Sequence, residues 1–263
     1  MAHASELLAR SRATLGKYPA LWLPPIAINA FQSLAGVPMT NPAPQALVGV
    51  TAYMATFIIA AGWLQMIGVA LKEERPGFKA FKEGVNAHWG HMVLGHVVFF
   101  LILGAALAAL AWVGEQQYGF APLMEWYKQL VAMPPAEQQA AVEPSALPAA
   151  VRGWMSLFLV GLGIGAIMTF LLLFWQPLVV LAGQPWWKAW GKSVQLVFRR
   201  FKLAFGFAAL HGVLFFATLT LTASGNAFFA IVGLTMLLFV TIFFKIAYAA
   251  VVVDSCLPAE AEA

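Results

Sequence analysis

From Leu203 to Val253 a single formal charge, Lys245, interrupts a stretch that is otherwise apolar or neutral. An α-helix crosses the hydrocarbon core of a bilayer with roughly 20 residues at 1.5 Å rise each, and this stretch holds enough for two crossings. The rest of the chain repeats the pattern. Of 263 residues, 62% are hydrophobic and 10% are charged, and the mean hydropathy is +0.80. A soluble domain has roughly 25% charged residues, so one soluble core cannot absorb this surface. Disorder is excluded by the same numbers, and a disulfide scaffold by the single cysteine, Cys256. The chain reads as an all-α, polytopic transmembrane helix bundle.

Six spans are predicted: Tyr18–Ala35, Ala46–Leu71, Trp89–Gly114, Trp154–Ala182, Leu203–Thr222 and Ala227–Val253. Pro24-Pro25 interrupts the first, and a helix beginning only after Pro25 would be too short to cross. Twelve of the fifteen basic residues fall in three segments: Arg10–Lys17, Lys72–Lys82 and Lys188–Lys202. The alternate connections hold almost none, and residues 115–150 carry an excess of Glu. By the positive-inside rule the three basic segments and both termini are cytoplasmic, and 115–150 is an extracytoplasmic loop of an inner-membrane protein. The long charged lead-in argues against a cleaved signal peptide. Ala223-Ser-Gly-Asn226 predicts a tight turn, hence an antiparallel hairpin of the last two spans. Within 115–150, the spacing of Leu123, Trp126, Tyr127 and Leu130 predicts a short interfacial helix.

A repeat is visible at an offset of 109. Residues 76–94 lie over 185–203, with Pro76/Pro185, Lys79/Lys188, Ala80/Ala189, Val85/Val194 and Leu94/Leu203 identical. Phe78, Phe81, Val85, Trp89 and Met92 fall on one helical face, as do Trp187, Trp190, Val194, Phe198 and Phe201. Lys188, Lys192, Gln195 and Arg199 line the opposite face. Each copy is predicted to be an amphipathic helix in the cytoplasmic interface that feeds into the next span. Lys79, Lys188, Lys192, Arg199 and Arg200 would meet lipid headgroups while Trp187 and Trp190 set the depth. Ser5–Lys17 reads as a divergent third copy, giving units of about 1–71, 72–183 and 184–253.

The run Trp175-Gln-Pro-Leu-Val-Val-Leu-Ala-Gly-Gln-Pro-Trp-Trp-Lys-Ala-Trp-Gly-Lys-Ser-Val-Gln-Leu-Val-Phe-Arg-Arg-Phe201 resembles a bacterial pattern. In it a span ends, a short helix of the form aromatic–Lys–Ala–x–x–x–Ser follows, and a basic stretch leads into the next span. It is similar to the membrane domain associated with bacterial glycerophosphodiester phosphodiesterases, and to related six-span bacterial membrane proteins of unknown function. The resemblance implies the architecture alone, because no loop here is long enough to hold the catalytic barrel.

Candidate chemistry is sparse. No carboxylate lies deep in a span, so the usual proton- or cation-coupling signature is missing. Lys245 lies nine residues before Asp254, about 13 Å in from the cytoplasmic end. His211 sits at matching depth on the preceding span, and His96 slightly shallower. The three are the candidate binding residues: either they line a polar pocket for an anionic headgroup or carboxylate, or Lys245 snorkels and each His bonds a carbonyl. His88, His91 and His96 bring no Cys, Asp or Glu ligand with them, so neither metal nor cofactor is assigned. Two intramembrane histidines keep a haem reading open. Gly161 and Gly165 read as a helix-packing pair, and Gln65 and Gln176 as amides that join helices. No GxSxG, HExxH or Walker sequence appears.

The expected function is a non-catalytic integral membrane protein that binds lipid, a membrane protein partner, or both. The alternatives are a small transporter or lipid-translocating protein with a polar site in the inner half of the bilayer, and an accessory or cofactor-binding subunit of a membrane complex. Nucleic acid is not an expected partner, because the basic residues face headgroups.

Overall fold

The computed structural model describes residues 4–35, 42–143, 145–223 and 226–256, and among them every regular element is helical. Three sequence features fall outside them: residues 36–41 of a Pro-rich connection, Ser224-Gly225 of the predicted turn, and the tail acids Glu260 and Glu262. Helix α1 (Ala4–Lys17) leads through a 3-10 turn (Pro19–Trp22) into α2 (Leu23–Ala35). Pro24 and Pro25 stand in the first turn of α2, where a missing N–H leaves nothing unpaired. The first apolar run therefore gives a helix of only 13 residues, about 20 Å long. Five other stretches have the length and composition to span a membrane.

These are α3 (Pro42–Leu71), α4 (Phe78–Tyr118), α7 (Ala149–Leu171) with α8 (Trp175–Leu181), α10 (Phe201–Thr222) and α11 (Ala227–Cys256). Between α4 and α7 lie α5 (Phe120–Ala132) and α6 (Pro135–Ala141), and α9 (Trp186–Arg199) precedes α10. Contacts divide the chain into two units, residues 1–96 with 170–263, and residues 97–169.

In the first unit the C-terminal half of α11 is the core. Ile242, Phe244, Ile246 and Val251 are fully buried, against Leu64 and Ile67 of α3, Leu178 and Val179 of α8, and Leu7 of α1, all equally buried. The face of α10 and the start of α11 are left bare. Val213 and Phe216 of α10 and Ile231 of α11 are about two-thirds exposed, apolar surface that a bilayer would cover. Helices α10 and α11 form the predicted hairpin, and a Cβ on Gly233 would fall 2.6 Å from the Thr222 backbone.

The two basic, aromatic segments fold differently. The second is a separate helix, α9, which ends at Arg200 (φ −120, ψ 38) before α10 begins. The first does not break off as expected. It is the opening of α4, a continuous helix of 41 residues. Small residues seat both: Ala80 and Gly84 on α4, Ala189 and Ser193 on α9, all buried. At Gly84 an added Cβ would lie 2.4 Å from Gln65 Cβ and 2.8 Å from the Ala61 carbonyl of α3.

The predicted fourth span is broken. Residues 172–174 leave helical geometry between α7 and α8. Pro177 is the cause: it has no N–H to offer the carbonyl of Leu173, and its ring clashes there. Ser193 of α9 repairs the gap. Its Oγ accepts a hydrogen bond from Phe174 N–H (3.1 Å) and donates one to the Leu171 carbonyl (3.0 Å). In α3 Met66 follows Gln65, where Pro177 follows Gln176, and α3 runs on unbroken.

Helix α3 ends in a Schellman turn. Glu73 N–H bonds the Ala70 carbonyl (3.0 Å) and Glu74 N–H the Val69 carbonyl (3.2 Å). Glu73 has φ 64, a left-handed conformation that glycine adopts freely and that costs another residue about 1 kcal/mol. Gly183 holds the comparable conformation (φ 59) after α8.

In the second unit, Gly161 of α7 sits against Leu107 and Leu110 of α4, and Gly114 of α4 against the Trp154 ring. Gly165 has only a loose contact, with Leu103 at 3.9 Å, so Gly161 carries the close approach. Trp154 also donates Nε1–H to the Gly119 carbonyl (3.0 Å) and stacks on Phe120 at 4.5 Å. The stretch expected to be a long loop is thus mostly helix, including the predicted short one.

Candidate functional site

The first unit holds a half-buried polar chain between its helices. Lys245 of α11 donates from Nζ to Oε1 of Gln176 on α8. A lysine ammonium can only donate, so the amide must turn its oxygen to Lys245 and its NH2 away. The NH2 then donates to Nε2 of His96 on α4 (2.9 Å), and Nδ1–H of His96 donates to the Met92 carbonyl (2.7 Å). The donor order fixes His96 as the neutral Nδ1–H tautomer in this arrangement. Its ring is clamped by Phe57 of α3, stacked at 3.7 Å, and by the edge of Trp175 at 4.8 Å.

Two of the three predicted binding residues, Lys245 and His96, therefore belong to one hydrogen-bonded chain. The link between them is Gln176, the amide expected to join helices, which here joins α8 to α4 and α11. His211 is not in the chain. Its Nδ1 shares a hydrogen bond with the Tyr248 hydroxyl (3.0 Å), and its ring stacks on Phe244 at 4.7 Å. Both ring nitrogens of His96 are engaged, which leaves none to ligate an iron or a metal in this geometry. Among the described residues no group of three or more His, Cys, Asp or Glu side chains comes together.

The basic residues gather at one end of this unit. Arg10 of α1 pairs with Asp254 of α11 at 3.0 Å and donates to the Leu71 carbonyl at the end of α3 (2.8 Å). Helix α9 lies beside them with three faces. Ala189, Ser193, Leu196 and Val197 are buried against its neighbours. Trp187 and Phe198 stand outward, 54% and 67% exposed. Lys188, Lys192, Gln195 and Arg199 form the exposed polar row. Trp190 departs from the predicted aromatic face: it turns inward to Trp175 (6.3 Å) and Trp186 (5.4 Å). Lys79 is exposed on the first turn of α4. Lys192, Arg199 and Arg200 border an open cavity of about 410 Å3 with Gln195, Asp254 and Ser255. Three cations converging on one cavity can hold an anionic group with charge-assisted hydrogen bonds.

Compared with protein-family models, curated proteins and solved structures, the chain matches none.

Proposed function

We propose that this is a non-catalytic, multi-pass protein of the bacterial inner membrane that binds anionic lipid at its basic end. The observation that carries the reading is the sorting of α9 into a buried face, outward aromatics and an exposed basic row. A helix so divided lies in an interface with aromatics at the acyl boundary and cations among headgroups. The grouping of α1 with the ends of α3 and α11 supports one cytoplasmic face that carries both termini, with 115–150 across the membrane. On this threading the 3-10 turn and α2, 17 residues together, complete a sixth crossing. The repeat is part of the reading: Ala80/Ala189 and Gly84/Ser193, all 109 apart, are buried and seat their helices on the preceding span. The resemblance of residues 175–201 to a phosphodiesterase-associated membrane domain accords with a helical membrane bundle.

Native mass spectrometry of the gently solubilised protein tests the proposal, since it reports bound lipid and membrane protein partners together. Retained anionic lipid that falls sharply in Lys192→Ala/Arg199→Ala/Arg200→Ala is the expected result. Orientation is tested with Lys188→Cys in a Cys256→Ser background, which an impermeant thiol reagent should fail to label in intact cells.

A second reading, a small transporter or lipid translocator, is favoured by the break between α7 and α8 beside the Lys245–Gln176–His96 chain. Interrupted helices next to buried polar groups are how many carriers build midplane sites. Substrate flux in liposomes that is lost in Gln176→Leu would promote this reading over the first.

A further inference from the structure

Two cavities of the first unit meet at Ala20. One, of about 540 Å3, is lined by Lys17, Tyr18, Glu73 and Arg75. The other, of about 350 Å3, starts from the same Ala20 and from Gly77, next in sequence to Pro76 of the first cavity. It continues past Leu23, Ala27, Met66 and Ile59 and has no charged residue in its lining. Met66 and Ile59 are seven residues apart on α3, so this groove runs about 10 Å back from the end of the helix.

The polar cavity has an unusual charge set. Lys17 and Arg75 supply donors, and Glu73 an acceptor. Among the described residues none of the three has an ion-pair partner. Tyr18 also lines this cavity; it is 8% exposed and its buried hydroxyl has no hydrogen-bond partner among the described residues. Glu73 occupies a left-handed turn position where glycine would sit without strain. A carboxylate kept at such a position needs a reason, and strained residues concentrate at functional sites.

We infer that the two cavities form one binding site for a phospholipid whose headgroup carries both a phosphate and a primary amine. Arg75 and Lys17 take the phosphate, Glu73 the ammonium, and the apolar groove one acyl chain. Arginine suits a phosphate because its planar fork bonds two oxygens at once. A choline headgroup has no N–H to give Glu73, and a glycerol headgroup has no positive charge to offer it. This inference rests on the reading of the chain as a lipid-binding membrane protein and adds to the anionic-lipid site a second one, for a lipid whose headgroup also carries an ammonium.

The test is titration of the full-length, gently solubilised protein with phosphatidylethanolamine, phosphatidylcholine and phosphatidylglycerol of matched chains, read by native mass spectrometry. Phosphatidylethanolamine should bind about tenfold more tightly than phosphatidylcholine, the size of one charge-assisted hydrogen bond. Glu73→Gln should shrink that ratio to about twofold or less, with phosphatidylglycerol bound at least as well as before. Lys17→Ala/Arg75→Ala should weaken all three. Glu73→Gly is the folding control: it should raise the thermal midpoint and still lose the preference. No preference in the wild type, or a preference that survives Glu73→Gln, overturns the inference. Anionic lipid still held through Lys192, Arg199 and Arg200 would then leave the broader reading standing. Retention of no lipid at all would overturn both.

Discussion

Arg10 and Asp254 form an ion pair at 3.0 Å across 244 positions of sequence, and the same guanidinium caps the carbonyl of Leu71. One side chain thus fastens the first helix to the ends of two long ones. The pair is partly solvated, with exposures of 39% and 23%, so its Coulombic share is modest and screened by salt. Arg10→Lys keeps the charge but not the fork that serves both partners. Thermal unfolding in detergent should show Arg10→Ala lower by about 1–2 kcal/mol and Arg10→Lys by about half of that. Equal losses in the two variants would show that the charge alone contributes nothing, and no loss in Arg10→Lys would show that the fork does not matter.

Ser193 carries a larger share. Its hydroxyl satisfies a backbone donor and a backbone acceptor freed by the break, and the site is buried. Ser193→Ala strands both and should cost about 2–4 kcal/mol. Ser193→Ala with Pro177→Ala should recover part of that, because the helix can then close its own ladder. A denaturation series on the three variants decides it.

Two glycines of α4 should respond with opposite sign. Gly84 has the Ala61 carbonyl 2.8 Å from where a Cβ would stand, while Gly90 faces open space. Gly84→Ala should destabilise by about 1–3 kcal/mol through overpacking. Gly90→Ala should stabilise by roughly 0.5–1 kcal/mol through helix propensity and unfolded-state entropy. Shifts of the same sign would mean that α3 and α4 do not cross at Gly84.

The half-buried polar chain makes an ordering prediction. Gln176→Leu leaves an ammonium without its acceptor and His96 without its donor. Lys245→Met leaves only one neutral amide oxygen unpaired. Gln176→Leu should therefore cost about 3 kcal/mol or more and Lys245→Met about 1–2. The double variant should be milder than the sum, and a double-mutant cycle of unfolding midpoints measures the difference.

The long helices were legible because their cause is local: runs of apolar residues, proline in first turns, glycine where helices touch. The break near Leu173 was legible in principle, since Pro177 announces it, but a continuous apolar pattern hides a proline inside it. The polar chain was legible only in part. Counting residues gives depth along a helix axis, and depth correctly brought Lys245 toward His96. It gives no azimuth, so it does not reveal that His211 bonds the Tyr248 hydroxyl and stays outside the hydrogen-bonded chain. Gln176 was legible as an amide that joins helices, but nothing near it in sequence marks which partners, 69 and 80 residues away, its amide meets. The shortness of α2 was written in Pro24-Pro25, and the exposed basic row of α9 in its period.

The grip of Arg10 has a bearing on biogenesis. Helix α1 packs chiefly on α11, which is made after all the other described helices. Until that helix is inserted, Leu7 and Leu15 have no core to enter and Arg10 no carboxylate to hold. The opening segment must wait while the chain between is made. Closure of the basic end therefore cannot precede α11, and a bundle halted before Asp254 would stay unlatched.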